Sequence, residues 1–151
     1  MIRDGVVIVE RRVRAPRRAV YAYLTSADRW AVWQGVAARL DPSPGGMLLV
    51  TMPNGDVASG QFVELVDGER VVFTWGWSGN IEIPPGSSTV EIELLDADDE
   101  TLIRLTHRGL PPEATKLHEA GWLRYVERLG RTSEGGRREP DQYIAGAEGA
   151  A

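Results

Sequence analysis

The chain has 151 residues, a net charge of −5 and no cysteine, which is typical of a single acidic domain with a core of its own. The negative charge argues against binding to nucleic-acid phosphates, and the lack of cysteine excludes disulfides and thiolate chemistry. Two histidines without metal-ligand spacing, no signal sequence and no bilayer-spanning apolar run predict a soluble cytoplasmic protein with no metal, no cofactor and no membrane insertion.

The first part of the chain predicts one strand followed by two short helices. Valines alternate along residues 6–14, which is typical of a strand with one buried face. Pro16 ends this strand and suits the first turn of a helix. Helices are then predicted at residues 17–25 and 27–33, and Ser26 suits the N-cap of the second helix.

From residue 36 the apolar period changes to two, which predicts six more strands. The Asn-Gly pair at 54–55 and the Asp-Gly pair at 67–68 are hairpin signals, because these residues tolerate a positive φ. A loop at 79–87 is the longest connection in this region. The strands are predicted at residues 36–40, 47–52, 57–66, 70–78, 89–95 and 101–108.

The last predicted element is a long helix at residues 112–130. Its apolar residues recur at helical spacing, and the charged residues between them mark a solvated face. Gly130 suits a C-terminal stop. At ~1.5 Å per residue this helix spans about 27 Å, which is enough to lie along a whole sheet. Gly121 in its middle costs about 1 kcal/mol relative to alanine, which predicts a close backbone approach or room for a guest molecule beneath the helix.

This order predicts an α+β fold in which a curved antiparallel sheet of about seven strands is covered by the long helix. The domain is predicted to comprise residues 1–130. Residues 131–151 carry few apolar side chains, which predicts a flexible tail. Tyr143 and Ile144 are the sizeable anchors of this tail, and they are candidates for contacts with the domain or with a second copy in a homodimer.

Several short motifs occur in an order and spacing typical of one superfamily. They are Glu10, Val13, Ala15-Pro16, Val20, Leu24-Thr25 and Trp33, then Gly60-x-Phe62-x-Glu64, then Arg-Val-Val-Phe-Thr-Trp at 70–75, Thr-Leu-Ile-Arg-Leu-Thr-His at 101–107, and His118-x-x-Gly121-Trp122. Over about residues 6–130 the sequence thus resembles the helix-grip proteins (START-like, Bet v 1-like or SRPBCC). Within them it is most similar to the branch named after the C-terminal domain of activators of the Hsp90 ATPase (AHSA1-like).

The resemblance implies a curved sheet wrapped around the C-terminal helix, with an elongated cavity between them. Members of the superfamily bind apolar or amphipathic ligands there, and some catalyse the cyclisation or dehydration of polyketides. The co-chaperones that gave the branch its name carry a separate N-terminal domain that engages Hsp90. The 151 residues leave no room for such a domain, so Hsp90 is not an expected partner.

The candidate ligand pocket is apolar and aromatic, as ligand sites usually are. Trp75 and Trp77 are the most suggestive pair, because they share one strand face beside the long loop and a buried indole N–H needs a partner. For any single residue an ordinary core position is the more frequent alternative. The candidate ligand-binding residues are Trp30, Trp33, Met47, Phe62, Phe73, Trp75, Trp77, Leu117, Gly121, Trp122 and Tyr125.

Three polar residues are candidates for catalysis: His118, His107 and Tyr125. His118 and Tyr125 are seven residues apart, which places them on one side of the long helix. An imidazole there can act as a general acid or base, although a histidine satisfied by a local hydrogen bond is the more frequent case. Glu64 is predicted to form an ion pair with an arginine.

Three functions remain open at this point. The first is binding of a small hydrophobic or amphipathic ligand, the second is a cofactor-free cyclase or dehydratase acting on a polyketide or aromatic substrate, and the third is a co-chaperone-like interaction module. An enclosed cavity of several hundred Å³ would favour the first two. A filled core with a large exposed apolar patch would favour the third.

Overall fold

The computed structural model describes residues 1–136 and 139–141. Its strands are β1 (Ile2–Arg3), β2 (Val6–Val13), β3 (Ala37–Leu40), β4 (Met47–Thr51), β5 (Val57–Val66), β6 (Arg70–Trp75), β7 (Ser88–Ala97) and β8 (Glu100–Arg108). Its helices are α1 (Arg17–Ala22), α2 (Ala27–Trp33) and α3 (Thr115–Ser133), the last preceded by a 3₁₀ turn at Pro112–Ala114.

The strands form one curved, open antiparallel sheet in the order β1-β2-β8-β7-β6-β5-β4-β3. The predicted α+β helix-grip architecture is confirmed. The sheet has eight strands where about seven were predicted, because Asp4 and Gly5, both with positive φ, turn the chain so that the two residues of β1 pair with β2.

The core lies between the sheet and α3. The buried positions of α3 include His118, Trp122, Tyr125 and Leu129, which recur at helical spacing and face β2 and β8. The buried positions of β7 and β8 alternate, as expected for strands with one covered face. Each large apolar side chain buried here contributes on the order of 1.5–3 kcal/mol to stability.

Two of the predicted elements end earlier than expected, and one predicted N-cap has the expected position but lacks a side-chain bond. Helix α1 ends at Ala22 and not at Thr25. Strand β6 ends at Trp75 and not at Ser78. The carbonyl of Pro84 packs so closely on Gly76 that a Cβ would collide there, and Trp77 pairs only in an isolated bridge with Ala58. Ser26 occupies the N-cap of α2 with extended backbone but makes no capping hydrogen bond with its side chain.

The C-terminal helix also continues past its predicted end. Gly130 has no positive φ and lies inside α3, where its missing side chain makes room for the guanidinium of Arg11. Arg11 in turn donates to Glu127 over 2.8 Å. The predicted tail therefore begins within α3, which runs to Ser133. The predicted anchors Tyr143 and Ile144 lie outside the described residues.

No helix within residues 1–136 and 139–141 has both the length and the apolar character needed to cross a bilayer. In the same residues, no group of three acidic or histidine side chains is arranged to hold a metal ion.

Candidate functional site

A small cavity lies between α3 and the sheet, beside the end of β6. It is lined by Gln34, Met52, Trp75, Trp77, His118, Gly121, Trp122 and Tyr125. Its volume is about 10 Å³, which is the space of a single water molecule. This is far below the several hundred Å³ expected of an open ligand pocket, so the cavity is closed in this conformation.

Aromatic rings form most of the wall of this cavity. Trp75 packs at a tilt against Trp122, with ring centroids 5.1 Å apart, and edge-on against Trp77 at 5.7 Å. Trp122 and Tyr125 pack edge-on at 6.4 Å, since they lie on one face of α3. These offset and edge-to-face geometries are the favourable ones for aromatic pairs.

The first buried histidine, His107 on β8, closes a chain of hydrogen bonds behind the cavity. The Trp122 indole donates to His107 Nδ1 over 2.9 Å, and His107 Nε2 lies 2.7 Å from Ser88 Oγ. An indole N–H can only donate, so Nδ1 must be the accepting nitrogen and Nε2 carries the proton. The hydroxyl of Ser88 then donates onward to the carbonyl of Trp75 over 2.8 Å.

The second buried histidine, His118 on α3, follows the same logic. The Trp77 indole donates to His118 Nε2 over 3.2 Å, so the proton is on Nδ1, which donates to the carbonyl of Ala114 over 2.9 Å. The two imidazole rings meet edge-to-face with centroids 5.3 Å apart. Both histidines are therefore neutral and hydrogen-bonded at both nitrogens.

Electrostatics keep these imidazoles neutral. Burial lowers the pKa of His107 well below its usual value, and the neighbouring His118 adds to this effect. Burial also lowers the pKa of His118, against the opposing influence of the Ala114 carbonyl. Protonation of either ring would place a second N–H against an indole donor, which explains in structural terms why the cation is disfavoured.

Trp75 differs from the other four tryptophans. The Trp75 residue is only 1 % exposed, and its buried Nε1 has no hydrogen-bond partner in the described part of the chain. The other indoles donate to Gln34, Tyr23, His118 and His107. A buried donor without an acceptor costs about 1–3 kcal/mol. The wall of the cavity therefore contains one unsatisfied donor.

The segment at residues 139–141 lies at the rim of the cavity, beside Tyr125. The carboxylate of Asp141 accepts hydrogen bonds from the Gly35 backbone N–H, the Tyr125 hydroxyl and the Arg124 guanidinium, over 2.8, 2.8 and 2.9 Å. The side chain of Asp141 is fully buried. Arg128 donates to the carbonyls of Glu139 and Pro140, which holds this segment against α3.

The structure brings together five of the predicted ligand-binding residues: Trp75, Trp77, Gly121, Trp122 and Tyr125 line the cavity. Among the candidates for catalysis, His118 and Tyr125 also line it, whereas His107 lies behind Trp122. The prediction for Glu64 is confirmed, because it pairs with Arg70 over 2.7 Å.

The other predicted pocket residues lie elsewhere. Trp30, Trp33, Phe62 and Phe73 are buried in an adjoining aromatic cluster and fill the core there. Met47 does not line the cavity, because the alternation of β4 turns Leu48 and Val50 inward and leaves Met47 43 % exposed. Leu117 is half-buried and lies just outside the lining face of α3.

Sequence reasoning missed four residues of the site. Met52 has the inward parity of Leu48 and Val50, which was the available signal for it. Gln34 and Ser88 lie just outside or at the end of predicted elements, where no pattern marks them. Asp141 was assigned to the tail.

The chain matches the family model described as activator of Hsp90 ATPase homolog 1-like protein over residues 14–134. A search of curated proteins gave no significant match. Among solved structures, the AHSA1-like protein of Rhizobium etli is 37 % identical, with a TM-score of 0.69, and the alignment covers 96 % of this chain and 94 % of that one.

Two other solved structures broaden this comparison. DynU16, a protein of the dynemicin biosynthetic locus, is 25 % identical with a TM-score of 0.79, over 94 % of this chain and 52 % of DynU16. The Aha1 dimer from Colwellia psychrerythraea is 18 % identical with a TM-score of 0.73, over 87 % of this chain and 98 % of that one. This last likeness concerns the fold alone.

Proposed function

The chain belongs to the family of activator of Hsp90 ATPase homolog 1-like proteins, and from this premise we propose that it binds a small apolar or amphipathic molecule between α3 and the sheet. The proposal is supported by an aromatic cavity at the place where a helix-grip fold brings helix and sheet together. Ligand sites of this kind combine an apolar wall with a few polar groups.

The observation that carries the proposal is the unpaired indole N–H of Trp75. A protein core normally satisfies its buried donors, and the other four indoles of this chain are satisfied. A ligand with a carbonyl, hydroxyl or carboxylate oxygen would give the Trp75 N–H its acceptor. The expected ligand is therefore apolar in its body and carries at least one acceptor oxygen.

Binding requires the cavity to open, because its present volume of about 10 Å³ admits no such ligand. Two features of the wall allow this. Met52, which touches the Tyr125 hydroxyl through its sulfur at 3.8 Å, has a flexible side chain that adapts to new neighbours. The segment at 139–141 covers the rim through polar contacts. The free energy needed to open the cavity will weaken the observed affinity.

Enzymatic activity of the cyclase or dehydratase type is less well supported. His118 faces the cavity as a neutral imidazole, which a general base must be. However, the nitrogen that would take up a proton already accepts from Trp77. We therefore assign His118 and His107 a positioning role for the two indoles.

The interaction-module alternative has weaker support still. Among the exposed large apolar side chains of the described residues, Val63 and Val66 lie on β5 and Met47 on its neighbour β4, whereas Met1, Val36, Ile81 and Leu123 lie on other segments. A homodimer stays a prediction, which native mass spectrometry of the purified protein would test directly.

The same native mass spectra test the ligand proposal, because a co-purified molecule would appear as added mass. Binding is then measured by isothermal titration calorimetry with decan-1-ol and decanoate in the wild type, in Trp75→Phe and in the matched control Trp33→Phe. Trp33 is buried outside the cavity, and its indole donates to the Tyr23 carbonyl.

We expect both probes to bind the wild type and Trp33→Phe, and decan-1-ol to bind Trp75→Phe roughly tenfold more weakly because the donor for its hydroxyl is missing. The proposal fails if the protein carries no added mass and binds neither probe. Equal affinities in all three proteins would show that binding does not use Trp75.

A further inference from the structure

A fully buried carboxylate lies at the rim of the cavity. Asp141 receives hydrogen bonds from the backbone N–H of Gly35, which follows α2, and from Arg124 and Tyr125 on α3. Three donors that converge on one carboxylate, one of them a guanidinium, make a strong charge-assisted site. A carboxylate tolerates complete burial only with partners of this kind.

The domain itself holds these donors in place. Gly35 has φ 78° and lies so close to the backbone of Thr51 that a Cβ would collide there, which fixes its N–H relative to β4. The Arg124 guanidinium lies 4.7 Å from the centroid of the Tyr125 ring and donates to the Tyr125 hydroxyl over 2.9 Å. Within the described residues, the segment at 139–141 contributes only the carboxylate to this site.

Arg128 ties the two donor-bearing elements together. Its guanidinium donates to the carbonyls of Trp33 and Val32 at the end of α2, over 2.8 and 3.2 Å. These bonds connect α2 to α3 without using the segment at 139–141. The spacing between Gly35 on one side and Arg124 and Tyr125 on the other is therefore set by the body of the domain.

The rim site adjoins the aromatic cavity. Tyr125 lines the cavity with its ring and donates to Asp141 with its hydroxyl, and Gln34, the neighbour of Gly35, lines the cavity as well. On the outer side the rim opens to a surface groove of about 580 Å³, which Gly35, Arg128 and Asp141 border. A carboxylate at the rim thus lies between the closed aromatic cavity and the surface groove.

We propose that Gly35, Arg124 and Tyr125 form a binding site for the carboxylate of an amphipathic monocarboxylic acid, and that Asp141 occupies this site as an intramolecular competitor. This inference rests on the proposed function and specifies the chemical class of the ligand. Its apolar chain or ring would lie against Met52 and Trp122 while its carboxylate replaces that of Asp141.

The test compares Asp141→Asn with Glu139→Gln in the full chain. Both variants change an acid of the same segment into its amide, but Glu139 pairs with Arg131 over 3.3 Å on the surface. An amide competes less well than a carboxylate for a guanidinium site. Decanoate and decan-1-ol, titrated by calorimetry at pH 7.5, separate the carboxylate from the apolar chain.

We expect Asp141→Asn to bind decanoate roughly tenfold more tightly than the wild type, since charge-assisted bonds are about twice as strong as neutral ones. The affinity of Asp141→Asn for decan-1-ol, and the affinities of Glu139→Gln for both probes, should stay within about twofold of the wild-type values. In the wild type, decanoate but not decan-1-ol should shift the NMR signal of the Gly35 amide, and this measurement does not depend on the folding of any variant.

The other outcomes are distinct. If decan-1-ol gains as much as decanoate, Asp141 only covers the rim and the carboxylate class is wrong. If decan-1-ol binds, but Asp141→Asn does not bind decanoate more tightly and decanoate does not shift the Gly35 amide signal, the inference fails and the proposed function stands. If neither probe binds any variant, the proposed function itself fails.

Discussion

The unpaired indole of Trp75 leads to a quantitative prediction about stability. Trp75→Phe and Trp122→Phe remove the same volume from neighbouring walls of one cavity, so the costs of lost packing are similar and largely cancel in a comparison. They differ in hydrogen bonding. Trp75→Phe removes a buried donor that has no acceptor in the described residues, whereas Trp122→Phe removes the donor that His107 Nδ1 accepts from.

The magnitude follows from the cost of an unsatisfied buried polar group, which is about 1–3 kcal/mol. Trp75→Phe relieves one such cost, and Trp122→Phe creates one at His107. We therefore expect the free energy of unfolding of Trp122→Phe to lie at least about 2 kcal/mol below that of Trp75→Phe. Trp75→Phe should therefore recover the cost of the unsatisfied N–H in its free energy of unfolding and at the same time lose the ligand affinity described above.

Urea unfolding followed by far-UV circular dichroism measures this difference, because that signal does not depend on the tryptophan removed. The slopes with urea should agree between the variants, so that the midpoints compare directly. Trp33→Phe, which also breaks a satisfied indole bond, should behave like Trp122→Phe. The reasoning is refuted if Trp75→Phe is destabilised as much as Trp122→Phe or more.

Two further predictions concern the buried histidines and the glycines. The pKa values of His107 and His118 are lowered on folding, so the unfolded chain binds more protons than the folded chain below about pH 6.5. As the pH is lowered further, the free energy of unfolding should decrease by up to about 1.4 kcal/mol per pH unit for each histidine. Above about pH 6.5 the histidines cause no loss of stability. Urea titrations at pH 7.5 and 5.5 should show a lower free energy of unfolding at pH 5.5, and this difference should be smaller in His107→Gln. An equal free energy of unfolding at both pH values would contradict the prediction. Gly60→Ala should cost about 2–3 kcal/mol because its Cβ would meet the backbone of Thr74, whereas Gly130→Ala should cost about 1 kcal/mol or less because the Arg11 side chain can move and alanine favours a helix. Thermal melts measure both, and equal losses would count against this explanation.

The elements of the fold were predictable because each depends on a local period. The strand at 57–66 and the helix at 27–33 have the predicted boundaries, since Asn-Gly and Asp-Gly turns flank the strand and helical spacing marks the helix. Strand β1 has two residues, which is too short for any period. Gly130 was misinterpreted because a glycine that ends a helix and a glycine that admits a neighbouring side chain look alike in a sequence.

The site was predictable only as far as the identity of its wall. Strand parity and the face of the long helix indicated Trp75, Trp77, Trp122 and Tyr125. Which indole meets which acceptor depends on the register of β7 with β8 and on the placement of α3 over both. Ser88 reaches Trp75 and His107 only because β7 lies between β6 and β8. No local pattern contains this information.

Asp141 shows a different limit of sequence reasoning. Few apolar residues in a segment predict that it gains little by burial, but three aimed donors can bind one carboxylate of that segment without any apolar contact. In this conformation the rim donors are satisfied by the chain's own acid, while the Trp75 donor inside is satisfied by nothing in the described residues. A ligand acid with a second acceptor oxygen would satisfy both sets of donors at once. In the proposed complex with such an acid, Asp141 has left the rim and both sets of donors have acceptors.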